Sequence, residues 1–534
     1  MKPIRLLAGF MTVGLWTMGS RVLGFVRDIL IAGLLGAGPV ADAFFVAFSL
    51  PNMFRRFFAE GAFNMAFVPM FSKRVQSGDD PEGFARDALS GLGLILILFT
   101  LVALAAMPWL VLAMASGFVG DARFDLAVGF GRIVFVYILF ISLAALLSGV
   151  LNATGRFAAA AAAPILLNVI LITALLVAET GVLEEVLILG GIGAFELGEI
   201  AGLHHGTMLA IGVVLAGIAQ LWLLWRAAAK AGFPLRPRRP RMTPELKRLA
   251  IIAAPAALAG GVVQVNLLVG RQVASFFDGA IAWLNYADRL YQLPLGVVGI
   301  AIGIVLLPDL SRRLQAGDTA GGQDAFNRAG EICLALTVPA AVALLCIPEA
   351  LVSVLFERGR FTAEDSAATA LAVAVYGVGL PAFVLQKVFQ PLFFAREDTR
   401  SPLRYALWAM VVNAGIAIGL APVIGYVAAA LGASLAGWAM VWLLWRGSRP
   451  LGEAAAFDAR FKARIGRIVL AALAMGAVLL GAQELLSEAL RTPTLRYGAL
   501  AALVALGIVS YGAAGHLLGA FRMAEVKRAL RRGP

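Results

Sequence analysis

Apolar stretches of about 20 residues recur along the whole of this chain, and at 1.5 Å of rise per residue each can cross a hydrocarbon core of roughly 30 Å as a helix. Strand-type alternation over ten-residue pieces is absent, which removes a membrane-spanning barrel. Hydrocarbon offers no partner to a backbone N–H or C=O, so helices remain. The pattern predicts an all-α polytopic membrane protein with about fourteen transmembrane helices, at roughly 10–34, 42–72, 88–116, 126–151, 157–178, 206–229, 244–272, 281–308, 329–356, 366–395, 403–421, 424–446, 463–483 and 495–520. Only 14% of the 534 residues are charged and mean hydropathy is +0.88, whereas soluble chains average roughly 25% charged residues. The first apolar run is interrupted by Arg21, Arg27 and Asp28 and is followed by no small-residue cleavage site, so it reads as the first helix and not as a signal peptide.

The distribution of charge sets the expected topology. Of the 44 Lys and Arg residues, 31 fall in the N-terminus, alternate loops and C-terminus on one side, and five on the other: Arg123, Arg358, Arg360, Arg491 and Arg496. That bias puts both termini and the basic loop Arg236–Arg241 in the cytoplasm. The formal charge of +12 therefore needs no nucleic-acid partner; the basic tail Lys527–Arg532 is a topology signal that also attracts anionic phospholipids. Cys333 and Cys346 share one predicted helix at a separation of roughly 20 Å, too far for a disulfide between them. No motif for soluble-enzyme chemistry or ATP hydrolysis occurs and the three histidines are scattered, so no enzyme activity, catalytic residue, metal or cofactor is expected.

Two helix ends share a pattern: Pro69-Met-Phe-Ser72-Lys73-Arg74-Val-Gln-Ser-Gly78-Asp79 aligns without a gap on Pro308-Asp-Leu-Ser311-Arg312-Arg313-Leu-Gln-Ala-Gly317-Asp318. The offset of 239 residues is six predicted helices, an even number, so the copies run the same way through the membrane. The expectation is two parallel six-helix lobes that can rock about a central site, plus two C-terminal helices. The implied domains are 1–235 (helices one to six), 236–450 (helices seven to twelve), and 451–534 (helices thirteen and fourteen with the basic tail).

Once the loops and the charges that flank them at the span ends are set aside, thirteen charged side chains remain: Arg21, Arg27, Asp28, Asp42, Arg55, Arg56, Glu60, Arg132, Arg271, Asp288, Arg289, Glu349 and Lys387. Each costs about 2.5 kcal/mol or more at the bilayer centre unless it faces a partner or a wet cavity. Arg56 with Glu60, and Arg21 with Asp28, are spaced to pair along one helix, and Asp288 lies one turn from Gln292. Eight basic against five acidic groups leave a surplus on helices one, two and eight, which suits an anionic ligand gripped by parallel N–H donors. For Arg21, Arg27, Arg55 and Arg289 anion binding is the favoured role, with structural pairing and snorkelling as alternatives; Arg56, Arg132, Arg271 and Lys387 read as structural. Pro51, Pro69, Pro255, Pro294, Pro308, Pro339 and Pro381 lie within spans and predict kinks.

Ser20-Arg-Val-Leu-Gly-Phe-Val-Arg27-Asp28, Gly38-Pro-Val-Ala-Asp42-Ala-Phe-Phe, Leu50-Pro51-Asn52-Met-Phe-Arg55-Arg56-Phe-Phe-Ala-Glu60-Gly61, Tyr286-Ala-Asp288-Arg289-Leu and Phe389-Gln-Pro-Leu-Phe-Phe-Ala-Arg396-Glu-Asp-Thr-Arg400 resemble the MurJ (MviN) family. The resemblance spans the full length. It implies a lipid II flippase of the multidrug/oligosaccharidyl-lipid/polysaccharide exporter superfamily, which carries the undecaprenyl-pyrophosphate-linked peptidoglycan precursor to the periplasmic leaflet by alternating access, for cell-wall biogenesis and cell shape. It also implies lipid II and cell-wall synthesis proteins as partners, and a lipid-tail groove at helices thirteen and fourteen. By motif match it assigns substrate binding to Arg21, Arg27, Arg55 and Arg289, and supporting pairs or gating to Asp28, Asp42, Arg56, Glu60, Asp288 and Gln292. Relatives can carry glutamate where this chain has Gln292, which still donates and accepts hydrogen bonds. The competing functions are a flippase for another prenyl-diphosphate-linked oligosaccharide, a cation-coupled drug exporter of the same superfamily, whose cavity would need an acidic excess, and a non-transporting scaffold.

Overall fold

The computed structural model describes residues 3–55, 62–180 and 203–521, and every regular element among them is helical. In chain order these are α1 (Pro3–Leu35), α2 (Pro39–Arg55), α3 (Ala62–Ser77), α4 (Pro81–Ala105), α5 (Met107–Met114), α6 (Ala122–Val134), α7 (Tyr137–Ala153), α8 (Ala158–Glu179), α9 (Leu203–Lys230) and α10 (Pro244–Ala274). They continue with α11 (Ala280–Gln315), α12 (Thr319–Cys346), α13 (Pro348–Phe356), α14 (Ala363–Phe394), α15 (Arg400–Ile424), α16 (Val427–Ser448), α17 (Ala459–Leu485), α18 (Ser487–Arg491) and α19 (Arg496–Leu517). Taking α2 with α3, α4 with α5, α6 with α7 and α12 with α13 as single crossings, and setting aside the five-residue α18, gives an arrangement consistent with the fourteen expected spans. Ten segments among the described residues are long and apolar enough to cross a membrane. The other four, α1, α2 with α3, α10 and α11, are those that carry Arg21, Arg27, Asp28, Asp42, Arg55, Arg271, Asp288 and Arg289. Arg132, Glu349 and Lys387 are exposed side chains.

All seven prolines expected to kink their spans lie inside helices that run on through them. Outright breaks come at two other prolines, Pro108 and Pro348. At each, one helix closes (Ala106, Ile347) and a short one opens with proline in its first turn, where the missing N–H has no helical acceptor to lose.

The chain divides into two compact units, Met1–Ala282 with Arg358–Phe361, and Trp283–Glu357 with Thr362–Pro534. Each repeats the other's local geometry. At the ends of α3 and α11, Gly78 and Gly317 take φ of 70° and 72°, and the next N–H reaches back five residues, from Asp79 to Arg74 O (3.2 Å) and from Asp318 to Arg313 O (2.9 Å). This is a Schellman closure, which needs a left-handed residue after the helix. The aspartates then face the arginines, Arg74–Asp79 at 3.6 Å and Arg313–Asp318 at 3.7 Å, which explains why Gly-Asp recurs in both copies.

A second and longer repeat runs at a different offset. Gly212-Val-Val-Leu-Ala-Gly217-Ile-Ala-Gln-Leu-Trp222-Leu-Leu-Trp225-Arg226 on α9 matches Gly432-Ala-Ser-Leu-Ala-Gly437-Trp-Ala-Met-Val-Trp442-Leu-Leu-Trp445-Arg446 on α16, at an offset of 220 residues. The offset falls from 239 because α8 and α9 are joined by residues 180–202, whereas only Gly425 and Tyr426 separate α15 from α16. In both copies the helix packs on the two helical crossings before it, through glycine. A Cβ on Gly217 would stand 2.7 Å from the Tyr137 ring, and one on Gly437 would stand 2.7 Å from the Phe383 ring. In both, the arginine stacks on the tryptophan one turn back, Arg226 over Trp222 at 5.0 Å and Arg446 over Trp442 at 5.4 Å.

Among the described residues, helices α17 and α19 have no counterpart in the first unit. Met475, Leu479 and Leu503 bury against Ile347 and Ala350, at the break between α12 and α13. At the other end of α17, its N-cap Asp458 and α12's Glu331 together engage Arg328, and Arg464 reaches Glu331 at 3.2 Å.

The glycine contacts make a paired prediction. Gly217→Ala and Gly437→Ala should each lower the melting temperature of the detergent-purified protein, by about 1–3 kcal/mol of overpacking. A variant that melts like the parent would show that its interface is not closed as described.

Candidate functional site

Arg27 and Asp28, neighbours on α1, form a buried pair. The Arg27 guanidinium donates through Nε (3.0 Å) and Nη2 (2.7 Å) to one Asp28 oxygen, and through Nη1 to Asn168 Oδ1 on α8 at 2.9 Å. Asn168 Nδ2 in turn donates to the Ser20 carbonyl at 2.9 Å. Arg27 is only 6% exposed and Asp28 1%, so the pair is locked by geometry and not by chance proximity. The spacing of Arg21 and Asp28 suggested that those two would pair; Asp28 takes Arg27 instead. Arg21 is half-buried and makes no ion pair or side-chain hydrogen bond among the described residues.

Asp42, at the start of α2, is fully buried and caps another helix. Its carboxylate accepts the N–H of Gly279 and of Ala282, both at 2.9 Å, at the opening turn of α11. A side chain distant in sequence thus fills the role usually taken by a local N-cap, answering donors that the helix cannot satisfy itself. Arg123 completes this cluster. Assigned from sequence to an outer loop, it is 5% exposed, with its guanidinium 2.6 Å from Asp121, 2.8 Å from Asp278 and 3.7 Å from Asp42, and stacked 4.6 Å over the Phe118 ring. Burial alone would raise the Asp121 carboxyl, but hydrogen bonds from the Arg123 backbone and side chain outweigh it and hold the group below its ordinary value. The Asp-Ala-Arg order at Asp121, an N-cap with its own arginine two residues on, was the available signal.

Arg55 closes α2 and is half-buried, as is Arg289 on α11. In the second unit Gln292 donates to Asp288 one turn before it, as the spacing predicted. Between them, Tyr291 stacks on Tyr376 (4.8 Å) and Phe383 (5.7 Å) of α14. The structure therefore brings Arg27 and Asp28 together, ties Asp42 to the α11 opening, and joins Asp288 to Gln292. Arg56 and Glu60 lie outside the described residues, as do most of the acidic loop 179–199 and the tail Lys527–Arg532.

A family model described as "Lipid II flippase MurJ" matches residues 31–496. The chain belongs to the MurJ family. A probable lipid II flippase MurJ of Rhizobium meliloti (strain 1021) is 42% identical over 536 residues, covering 98% of this chain and 96% of the relative. A lipid II flippase MurJ of Burkholderia cenocepacia is 35% identical over 459 residues, covering 84% and 85%. The fold matches a solved lipid II flippase MurJ in an inward closed conformation, with a TM-score of 0.75 at 23% identity over 95% of this chain and 98% of that one. A multidrug resistance MATE family transporter of the MOP superfamily, solved inward-facing, shares the fold more loosely, with a TM-score of 0.64 at 13% identity over 82% and 95%. MurJ membership thus rests on sequence along nearly the whole chain, while the MATE likeness is one of fold.

Because Asp42 and Arg123 are buried and mutually dependent, Asp42→Ala should destabilise the purified protein by about 1–2 kcal/mol through loss of two caps. Arg123→Gln should cost at least as much by leaving a buried carboxylate. The double variant should fall short of the sum, as measured by thermal melts; strict additivity would mean that the two act separately.

Proposed function

We propose that this chain is a lipid II flippase of the bacterial inner membrane. The observation that carries this reading is MurJ membership along nearly the full length, with relatives of that name at up to 46% identity. The task is to pass a diphosphate and a polar sugar-peptide across roughly 30 Å of hydrocarbon. Nothing in that task makes or breaks a covalent bond, so the protein acts as a transporter and not as an enzyme.

In this reading Arg21, Arg27, Arg55 and Arg289 replace the hydration shell of the diphosphate while the prenyl tail stays in lipid. Arg27 is held in place by Asp28 and Asn168, a fixed cation of known direction. Arg21, with no ion pair among the described residues, has its donors available. The duplicated helix ends support two lobes, 1–235 and 236–450, that alternate between facing the cytoplasm and the periplasm, with 451–534 appended. Asp42, capping the opening of α11, ties the start of that helix to α2, and Asp288 with Gln292 supports Arg289. The charge bias places both termini in the cytoplasm. Lipid II is the substrate; anionic phospholipids and cell-wall synthesis proteins are the expected neighbours.

A drug exporter of the MATE type shares only the fold and would need an acidic excess to attract cations, against eight basic and five acidic intramembrane groups in this sequence. The two readings separate in reconstituted vesicles. Lipid II should flip with the parent protein, and Arg55→Lys and Arg289→Lys should each slow it by about tenfold or more, since ammonium cannot reproduce two parallel N–H bonds. Parental rates in both variants would remove the arginines from the diphosphate site. In the native bacterium, depletion should leave lipid II in the cytoplasmic leaflet; normal lipid II export with loss of another prenyl-linked glycolipid would overturn the assignment.

A further inference from the structure

Within the second unit, a cavity of about 310 Å³ opens among α12, α14, α16 and the stretch leading into α17. Every side chain lining it is apolar, among them Leu334, Leu385, Trp442, Trp445, Phe457 and Phe461. An alkyl chain fits such a lining by van der Waals contact, whereas a polar headgroup buried there would lose most of its hydrogen bonds. Trp442 is half-exposed, so one wall of the cavity reaches the lipid-facing surface.

Two cations stand on the rings of that wall. Arg446 stacks over Trp442 at 5.4 Å and Arg449 over Trp445 at 4.0 Å. Both arginines are exposed, and neither forms an ion pair or a side-chain hydrogen bond among the described residues. A guanidinium held over an indole face keeps N–H donors for a phosphate. The same tryptophan–arginine stack occurs in the first unit at Trp222 and Arg226, as expected where both helices end at the level of lipid headgroups. The second unit alone adds α17, whose Phe461 and Ile465, with Phe457 just before it, complete the cavity.

We propose that this cavity is a binding site for an acidic glycerophospholipid, one acyl chain lying among the tryptophans and phenylalanines and the phosphate held by Arg446 and Arg449. Two neighbouring cations favour a headgroup with net negative charge over a zwitterionic one, whose ammonium they would repel. The site deepens the anionic-phospholipid partnership proposed above and shares no residue with the arginines assigned to the substrate diphosphate.

The test uses the purified full chain in neutral detergent, so it depends on neither orientation nor transport. Phosphatidylglycerol with a dibrominated oleoyl chain and phosphatidylcholine with the same chain are titrated in parallel, and quenching of tryptophan fluorescence is read. Phosphatidylglycerol should quench at a mole fraction about tenfold lower or better. Arg446→Gln with Arg449→Gln should abolish that preference while leaving the lipid-free melting temperature unchanged. Ile465→Trp, which fills the cavity from α17, should reduce quenching by either lipid. Equal quenching by the two lipids, or a preference that survives in the double arginine variant, would overturn the proposal. So would displacement of phosphatidylglycerol by undecaprenyl phosphate, which would give the cavity to a prenyl chain. Lipid II flipping by the same variants in vesicles is a separate readout, so a failure of the flippase reading leaves the binding result standing.

Discussion

A guanidinium among apolar helices has to be met by a carboxylate, an amide or an aromatic face, because the alternative is several kcal/mol of lost hydration. In this protein that demand does the work of long-range assembly. Arg27 draws Asn168 of α8 onto α1, and through it the Ser20 carbonyl. Arg123 gathers Asp42, Asp121 and Asp278 from three stretches of chain. Arg328 and Glu331 bind α12 to the start of α17 through Asp458 and Arg464. Apolar packing alone is nearly indifferent to which helices touch in lipid, since tails are as apolar as leucine. The arginines supply the choice of partner.

The duplicated helix ends show how much of a repeat survives when only geometry is under constraint. The Schellman closures at Gly78 and Gly317, the breaks at Pro108 and Pro348, and the glycine contacts at Gly217 and Gly437 recur because backbone conformation and close approach tolerate few substitutes. The residues that differ between halves are those given other tasks. Gln220 accepts from Tyr137 and donates to Ala163 in the first unit; its counterpart in the second is Met440, a buried apolar side chain.

Fold class was legible in the sequence because a helix-only solution is forced once apolar runs of this length recur. The pairing of Asp288 with Gln292 and the repeat at Pro69 and Pro308 were legible for the same reason, being local in sequence. The cluster around Arg123 was not. Its members are separated by up to 240 residues, and an arginine near a span end looks the same whether it turns outward or inward. The choice of Arg27 over Arg21 as the partner of Asp28 was equally hidden, because it depends on Asn168 of a different helix. The repeat on α9 and α16 does not align at the offset of the first repeat, since the segment 180–202 shifts the register from 239 to 220.

The cap that Asp42 provides has a consequence for biosynthesis. The N–H groups it receives belong to residues 237 and 240 positions further along the chain. At a synthesis rate of roughly 5–20 residues per second, the carboxylate exists on the order of ten seconds or more before the ribosome delivers its partners. Through that interval the acid cannot sit in the dry place it finally occupies, so α2 must wait near water or lean on a temporary companion. The first half of this protein is therefore not finished when its last helix is inserted; it is completed by the chain that follows.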